Sequence, residues 1–250
     1  MEKLILIFIA SLLTACGGGG GGGGTTSTTT TTPSVSDTSA AAIGQQSAEG
    51  LWNGTANAGG LVKMLVQSNG AFFQFYGTAS PSGQLFGTLR VDINNNVIFD
   101  TSKGKINGVF EQSKSIAATT VRTATTLNFT MSGGSGNTRS ISQTYDSTYS
   151  SPFTGTDLVG NYSGVNVGQN STFSIDANGN ISGSIGSCNF SGTITPDNTK
   201  RFANVNITTN SCVLSLEGIG KALLVGSGVG AQIYVGTQDG YGYTMYGIKL

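Results

Sequence analysis

From Glu49 onward, apolar residues fall in short runs or alternate with polar ones, and no long stretch repeats them every three to four positions. A period of two puts successive side chains on opposite faces of a strand, whereas an amphipathic helix needs a period near 3.6. Residues 61–66, 71–76, 84–91, 96–99 and 125–131 therefore predict strands in the first half of the body. Residues 172–175, 189–194, 203–207, 213–216, 222–225, 232–235 and 241–248 predict them in the second. Glycine and asparagine separate the runs, and Asn69-Gly70 and Asn178-Gly179 are the strongest hairpin signals, because both residue types accept the positive φ of a tight turn. The expected fold class is all-β and antiparallel.

The second half repeats the first. GLWNGTANAGGLVKMLVQSNGAFFQFYGT, from Gly50, lies beside GNYSGVNVGQNSTFSIDANGNISGSIGS, from Gly160, with little adjustment. Trp52 then meets Tyr162, Gly54 meets Gly164, Asn69-Gly70 meets Asn178-Gly179, and Gly77 meets Gly186. Further on, GQLFGTL from Gly83 matches CNFSGTI from Cys188. This divides the body into a first module at residues 49–132, a linker at 133–156 and a second module at 157–250. The linker is polar and punctuated by Gly and Pro152; its Tyr145, Tyr149 and Phe153 are expected to pack on one or both modules.

A Gly-x-aromatic first strand, an Asn-Gly hairpin and a glycine-rich third strand resemble the opening of calycin barrels. Gly50-Leu51-Trp52 matches the Gly-x-Trp start of lipocalins and avidins, and Gly160-Asn161-Tyr162 carries tyrosine in place of the tryptophan. The resemblance implies two tandem small antiparallel β-barrel, calycin-like modules with inward residues filling or lining each interior. Biotin binding is not implied, because Trp52 is the only tryptophan.

The N-terminus carries a different signal. Lys3 precedes an apolar run at residues 4–13, too short to span a bilayer, and small residues follow at once. Leu13-Thr14-Ala15-Cys16 resembles the lipobox of bacterial lipoproteins, which implies a signal peptide at residues 1–15, cleavage before Cys16 and a lipid on its thiol. By the same resemblance Gly17, in place of Asp, directs the product to the outer membrane, on its periplasmic face or the cell surface. Residues 16–48 are eight glycines, a threonine-rich run and further polar sequence; they cannot bury a core and are expected to form a disordered tether.

Composition narrows the chemistry. The chain has no histidine, which excludes histidine-based triads, imidazole metal ligands and a histidine general base. Twelve basic and twelve acidic residues leave no net charge to attract nucleic acid. With Cys16 acylated, Cys188 and Cys212 remain as an even pair in an oxidising compartment, and a disulfide between them would add about 3 kcal/mol.

Other motifs fail on inspection. Asp92-x-Asn94-x-Asn96 opens like a calcium loop, but Val97 and Lys103 replace the required glycine and acid, so a polar turn is expected. Gly226-Ser227-Gly228-Val229-Gly230 offers the flexible backbone of a phosphate loop and Gly220-Lys221 resembles its lysine, but Ala222 replaces the hydroxyl residue, Ser215 the first glycine, and no helix follows, so a hairpin turn is expected. A glycosidase pair would have to come from Asp100, Glu111, Asp176, Glu217 and Asp239, whose separations the sequence leaves open.

The remaining candidates are aromatic: Trp52, Phe73, Phe75, Tyr162, Tyr234, Tyr241 and Tyr243, either core residues or the lining of a patch or pocket. In residues 72–76 both strand faces are aromatic, so one is expected in a core and the other exposed or between modules. The expected function is a non-enzymatic binding or scaffolding lipoprotein without cofactor or metal, held to the bilayer through Cys16, with a small-molecule or protein ligand left open. A carboxylate-based hydrolase of envelope glycans and a purely structural envelope protein are the alternatives.

Overall fold

The computed structural model describes residues 47–57, 59–77, 81–106, 109–111, 121–132, 138–166, 169–210, 217–237 and 244–250. They are almost entirely β. The first module is a nine-stranded antiparallel sheet: β1 (Gly50–Ala56), β2 (Leu61–Val66), β3 (Ala71–Gly77), β4 (Pro81–Val91), β5 (Val97–Ile106), β6 (Val109–Glu111), β7 (Val121–Arg122), β8 (Thr126–Ser132) and β9 (Thr138–Tyr145). Its spatial order is β6-β5-β4-β3-β2-β1-β9-β8-β7. The sheet curls on itself as a half-barrel: the Phe99 ring of β5 meets Phe129 of β8 at 5.1 Å, and the Arg122 amide of β7 donates to the Asn95 carbonyl at the β4–β5 turn. No ladder joins β6 to β7 among the described residues.

A short connection follows, holding a 3-10 turn (Ser147–Ser150) and a single helical turn, α1 (Gly155–Leu158). The second module is β10 (Gly160–Asn166), β11 (Gln169–Ile175), β12 (Asn180–Ile185), β13 (Cys188–Pro196), β14 (Ala203–Thr209), β15 (Gly218–Val225), β16 (Gln232–Thr237) and β17 (Thr244–Lys249). These close as an eight-stranded up-and-down barrel, with β17 returning to pair with β10. Closure removes the sheet edges, and an eight-stranded barrel is just wide enough for side chains to fill. Here they do: Tyr162, Phe173, Ile181, Ile185, Phe190, Ile207, Leu224 and Met245 belong to one buried cluster, and Phe153 and Leu158 of the connection join it.

The expected hairpins are present at Asn69-Gly70 and Asn178-Gly179, where Gly70 has φ 81° and Gly179 φ 79°. Gly70 accepts from the Leu89 amide of β4, and Gly179 accepts in the same way from Ile194 of β13. Trp52 Nε1 donates to the Ala48 carbonyl at 2.9 Å, and the Tyr162 hydroxyl donates to the Leu158 carbonyl at 2.6 Å. In both modules the aromatic residue of the first strand is thus tied four residues back along the chain. Asp92 and Asp176 build one kind of turn. Each carboxylate accepts from the backbone amides two and four residues on, and from the side-chain amide of Asn96 or Asn180.

One expectation changes. Residues 138–145, read as linker, form β9 and complete the first sheet against β1 and β8. The inward positions of β9 include Gln143, which breaks the apolar alternation that would have announced a strand.

Candidate functional site

The aromatic candidates divide between three cores. Trp52 lies in the interior of the first module with Met64, Phe72 and Phe129. Tyr162 lies inside the barrel, stacked on Phe173 at 5.0 Å, and burial pushes its phenol up to about 12. Phe73, Phe75 and Tyr234 come together elsewhere, in a cluster shared by both modules with Leu51, Leu65, Phe86, Tyr149, Phe202, Leu223 and Tyr246. This is a seam: the outer face of β1–β4 packs against the outer face of β15–β17. It answers the question of the two aromatic faces of β3, since Phe72 and Tyr76 point to the first core and Phe73 and Phe75 to the seam. Tyr241, Tyr243, Cys16 and Cys212 lie outside the described residues. Cys188 is buried at the head of β13, next to Asn189, whose carbonyl accepts from the Asn210 amide where the chain leaves β14.

The seam has an apolar centre and a polar rim, as a stable protein interface does. Phe75 and Tyr234 rings are 5.9 Å apart, and Tyr234 and Tyr246 are 5.1 Å apart. Gln84 of β4 crosses it, donating Nε2 to the Thr237 carbonyl at 3.0 Å and accepting from the Thr244 hydroxyl at 2.9 Å. Such satisfied polar contacts fix orientation without leaving a buried group unpaired. At the rim, Tyr149 from the connection donates to Glu49 at 3.1 Å, while Lys200 pairs with Glu49 at 3.2 Å and lies 4.9 Å from the Tyr149 ring. The expectation that the connecting aromatics anchor the modules therefore holds for Tyr149 in the seam and Phe153 in the barrel.

A second rim cluster joins Asp146, Asn53, Thr148 and Lys63. Asp146 accepts from Asn53 Nδ2 at 2.8 Å and from the Thr148 hydroxyl at 2.6 Å, and Lys63 donates to Asn53 Oδ1 at 3.0 Å. Burial pushes the Asp146 carboxyl up, but these hydrogen bonds and the Lys63 charge outweigh it and hold it below the usual range. A carboxyl depressed by folding adds stability that is fully present above about pH 4 and lost as pH falls through its folded value. In acid titration followed by circular dichroism, Asp146→Asn should flatten the loss of stability below that pH; an unchanged acid limb would show that Asp146 contributes nothing to it.

The other described acids with partners also hold structure. Asp100 pairs with Arg90 at 3.0 Å on the surface, Asp176 and Asp197 organise turns, and Asp157 accepts from the Thr154 amide at 2.6 Å ahead of α1. Glu217 is solvent-exposed. Asp239 lies outside the described residues. Among the described residues no group of three potential ligands converges as a metal site. A concavity of about 360 Å³ lies across β1, β9 and β8, lined by uncharged groups that include Thr55, Asn57, Asn128, Thr130 and Ser142.

Sequence reading missed a further set, Gln74, Ser102 and Gln143, which are buried polar residues of the first module. For Gln74 the signal was available in the repeat, which sets it against Gly183; Ser102 and Gln143 meet their counterparts Ile207 and Gly247 only through the strand ladders. No protein-family model, curated protein or solved structure matches the chain.

Proposed function

We propose that this protein is an envelope lipoprotein, acylated at Cys16 and held at the outer membrane, whose two-module body acts as a non-enzymatic binding or scaffolding unit. The observation that carries this reading is the Lys3-led apolar run ending in Leu13-Thr14-Ala15-Cys16, followed by a glycine and threonine tether. Two features of the body support it. The described acids at turns, caps and the seam rim are each engaged with backbone, amide, hydroxyl or cation partners. The seam joins the modules through a buried aromatic cluster, which suits a body that acts as one unit. Among the described residues no helix is long and apolar enough to cross a membrane, so in this reading attachment rests on the lipid. A Cys188–Cys212 bridge belongs to the same proposal, as the compartment favours it.

Cells fed labelled palmitate should incorporate label into the full chain, and Cys16→Ser should abolish incorporation and move the protein from the membrane to the soluble fraction. Unlabelled wild-type protein, with unchanged fractionation of the variant, would overturn the proposal.

A further inference from the structure

The interiors of the two modules differ in one chemical respect. Matched through the ladders, Gln74 stands where the barrel has Gly183, Tyr76 where it has Ile185, Ser102 where it has Ile207, and Gln143 where it has Gly247. In the barrel Phe173 lies against Gly183 and Gly247, and Ile185 and Ile207 belong to the same buried cluster. In the first module Met64 takes the place of Phe173, and polar side chains flank it. Gln74 is its cross-strand partner on β3, and Gln143 donates Nε2 at 3.3 Å to the carbonyl of Trp52, its partner on β1.

Two of these polar groups are left unpaired. Gln143 is 2% exposed and Ser102 6%, yet Gln143 Oε1 and Ser102 Oγ have no hydrogen-bond partner among the described residues. Among the described residues the barrel keeps one such atom, Thr237 Oγ1, while its buried Asn166 and Ser171 are bonded to each other and to the backbone of Tyr246. An unpaired buried polar atom destabilises the fold that holds it, and a native fold that keeps two calls for an explanation. The same architecture fills these positions with glycine and isoleucine one module later, so the fold does not require them.

We propose that the interior of the first module is a binding chamber for a small hydroxylated molecule of the sugar class. Gln143 Oε1 only accepts, so its partner must bring an O–H or N–H; Ser102 both accepts and donates. Met64 and Trp52 supply an apolar wall for the C–H faces of such a ring. Apolar lining with a few convergent polar groups is the general character of small-molecule sites. Arg139, inward on β9 by its alternation with Ile141 and Gln143, acts electrostatically on Tyr76, so a sugar acid would find its countercharge there. The inference deepens the binding half of the proposed function and rests on that reading only for its setting. Loss of lipid labelling would leave the chamber untouched, and an empty chamber would leave acylation untouched.

Trp52 is the only tryptophan in the chain, so its emission reports on the chamber directly. The full chain should be titrated with D-glucose, N-acetyl-D-glucosamine and D-galacturonate as probes. A saturable change in Trp52 emission with at least one of them is expected. The Gln143→Leu, Ser102→Val double variant should weaken it by about tenfold or more. That variant should also melt at a higher temperature, because it removes both unpaired groups. If it fails to fold, Gln143→Met alone carries the same test. Flat emission with all three probes would overturn the proposal and leave an interior holding only water. So would a response that survives unchanged in the variant, since it would place the sugar elsewhere.

Discussion

Phe75→Ala will cost about 3–5 kcal/mol and separate the unfolding of the two modules. The ring is 1% exposed, packs 5.9 Å from Tyr234 and lies against Gly236, so its removal opens a hole at the centre of the seam and not at its rim. Neighbouring backbone cannot collapse into that hole without moving a whole module, which places the loss toward the upper end of the range. Trp52 emission follows the first module, and far-ultraviolet circular dichroism follows both. In wild-type protein the two denaturation curves should coincide, as one cooperative unit requires. In the variant they should part, with the tryptophan curve leading. A double-mutant cycle with Tyr234→Ala should return a coupling energy of about 1 kcal/mol beyond the two single losses. Coincident curves and a loss below about 1 kcal/mol would mean that the seam does not bear on stability.

The seam also explains why the modules dock once. Its contributions from the first module, Leu51, Leu65, Phe73, Phe75 and Phe86, have counterparts on the same face of the barrel, and those are Asn161, Ser174, Ser182, Ser184 and Ser191. The match is position by position in the ladder: Leu65 opposes Phe73 as Ser174 opposes Ser182, and Phe73 opposes Phe86 as Ser182 opposes Ser191. A contact between two different faces of one repeat is head-to-tail, and such a contact propagates into a filament unless one end is blocked. Hydroxyls and amides on the second copy of the docking face block it. The low charge of the chain follows from the same arrangement, since the barrel surface on β10–β14 is made hydrophilic by serine, threonine and asparagine in place of lysine and glutamate.

The strands, their antiparallel order and the repeat were legible because each depends on local pattern. Residues 61–66 were read to the residue as β2, and the Asn-Gly hairpins fell where backbone sterics demand them. What could not be read depends on which residues meet across the fold. The two faces of β3 are equally aromatic, and only the docking of a second module distinguishes Phe72 from Phe73. The strand β9 went unread for a related reason: Gln143 occupies an inward position that pattern reading expects to be apolar, and the misreading marked the unpaired interior of the first module. Local rules tend to fail at functional sites, which is why that residue anchors the proposed chamber.

Gly164→Ala will open the barrel. A methyl group built on Gly164 runs into the Tyr246 carbonyl and crowds Gly247, both of them backbone on the closing strand β17. No rotamer relieves a Cβ, so relief must come from separating β10 from β17, the one ladder that makes the sheet a closed barrel. That ladder also carries the Asn166 bonds to the Tyr246 amide and carbonyl, which would be lost together and leave buried groups unpaired. The expected loss is about 3 kcal/mol or more, at the upper limit usual for overpacking, because backbone and not side chain must yield. Hydrogen exchange at Tyr246 and Gly247 should accelerate before exchange elsewhere in the barrel. The matched change Gly54→Ala meets the Ser142 carbonyl and Gln143 in the first module and should loosen β1 from β9 in the same way. Gly155→Ala is the control: its methyl would meet nothing within 4 Å, so the substitution should be neutral. If Gly164→Ala were as mild as that control, closure through β10 and β17 would not be what holds the second module together.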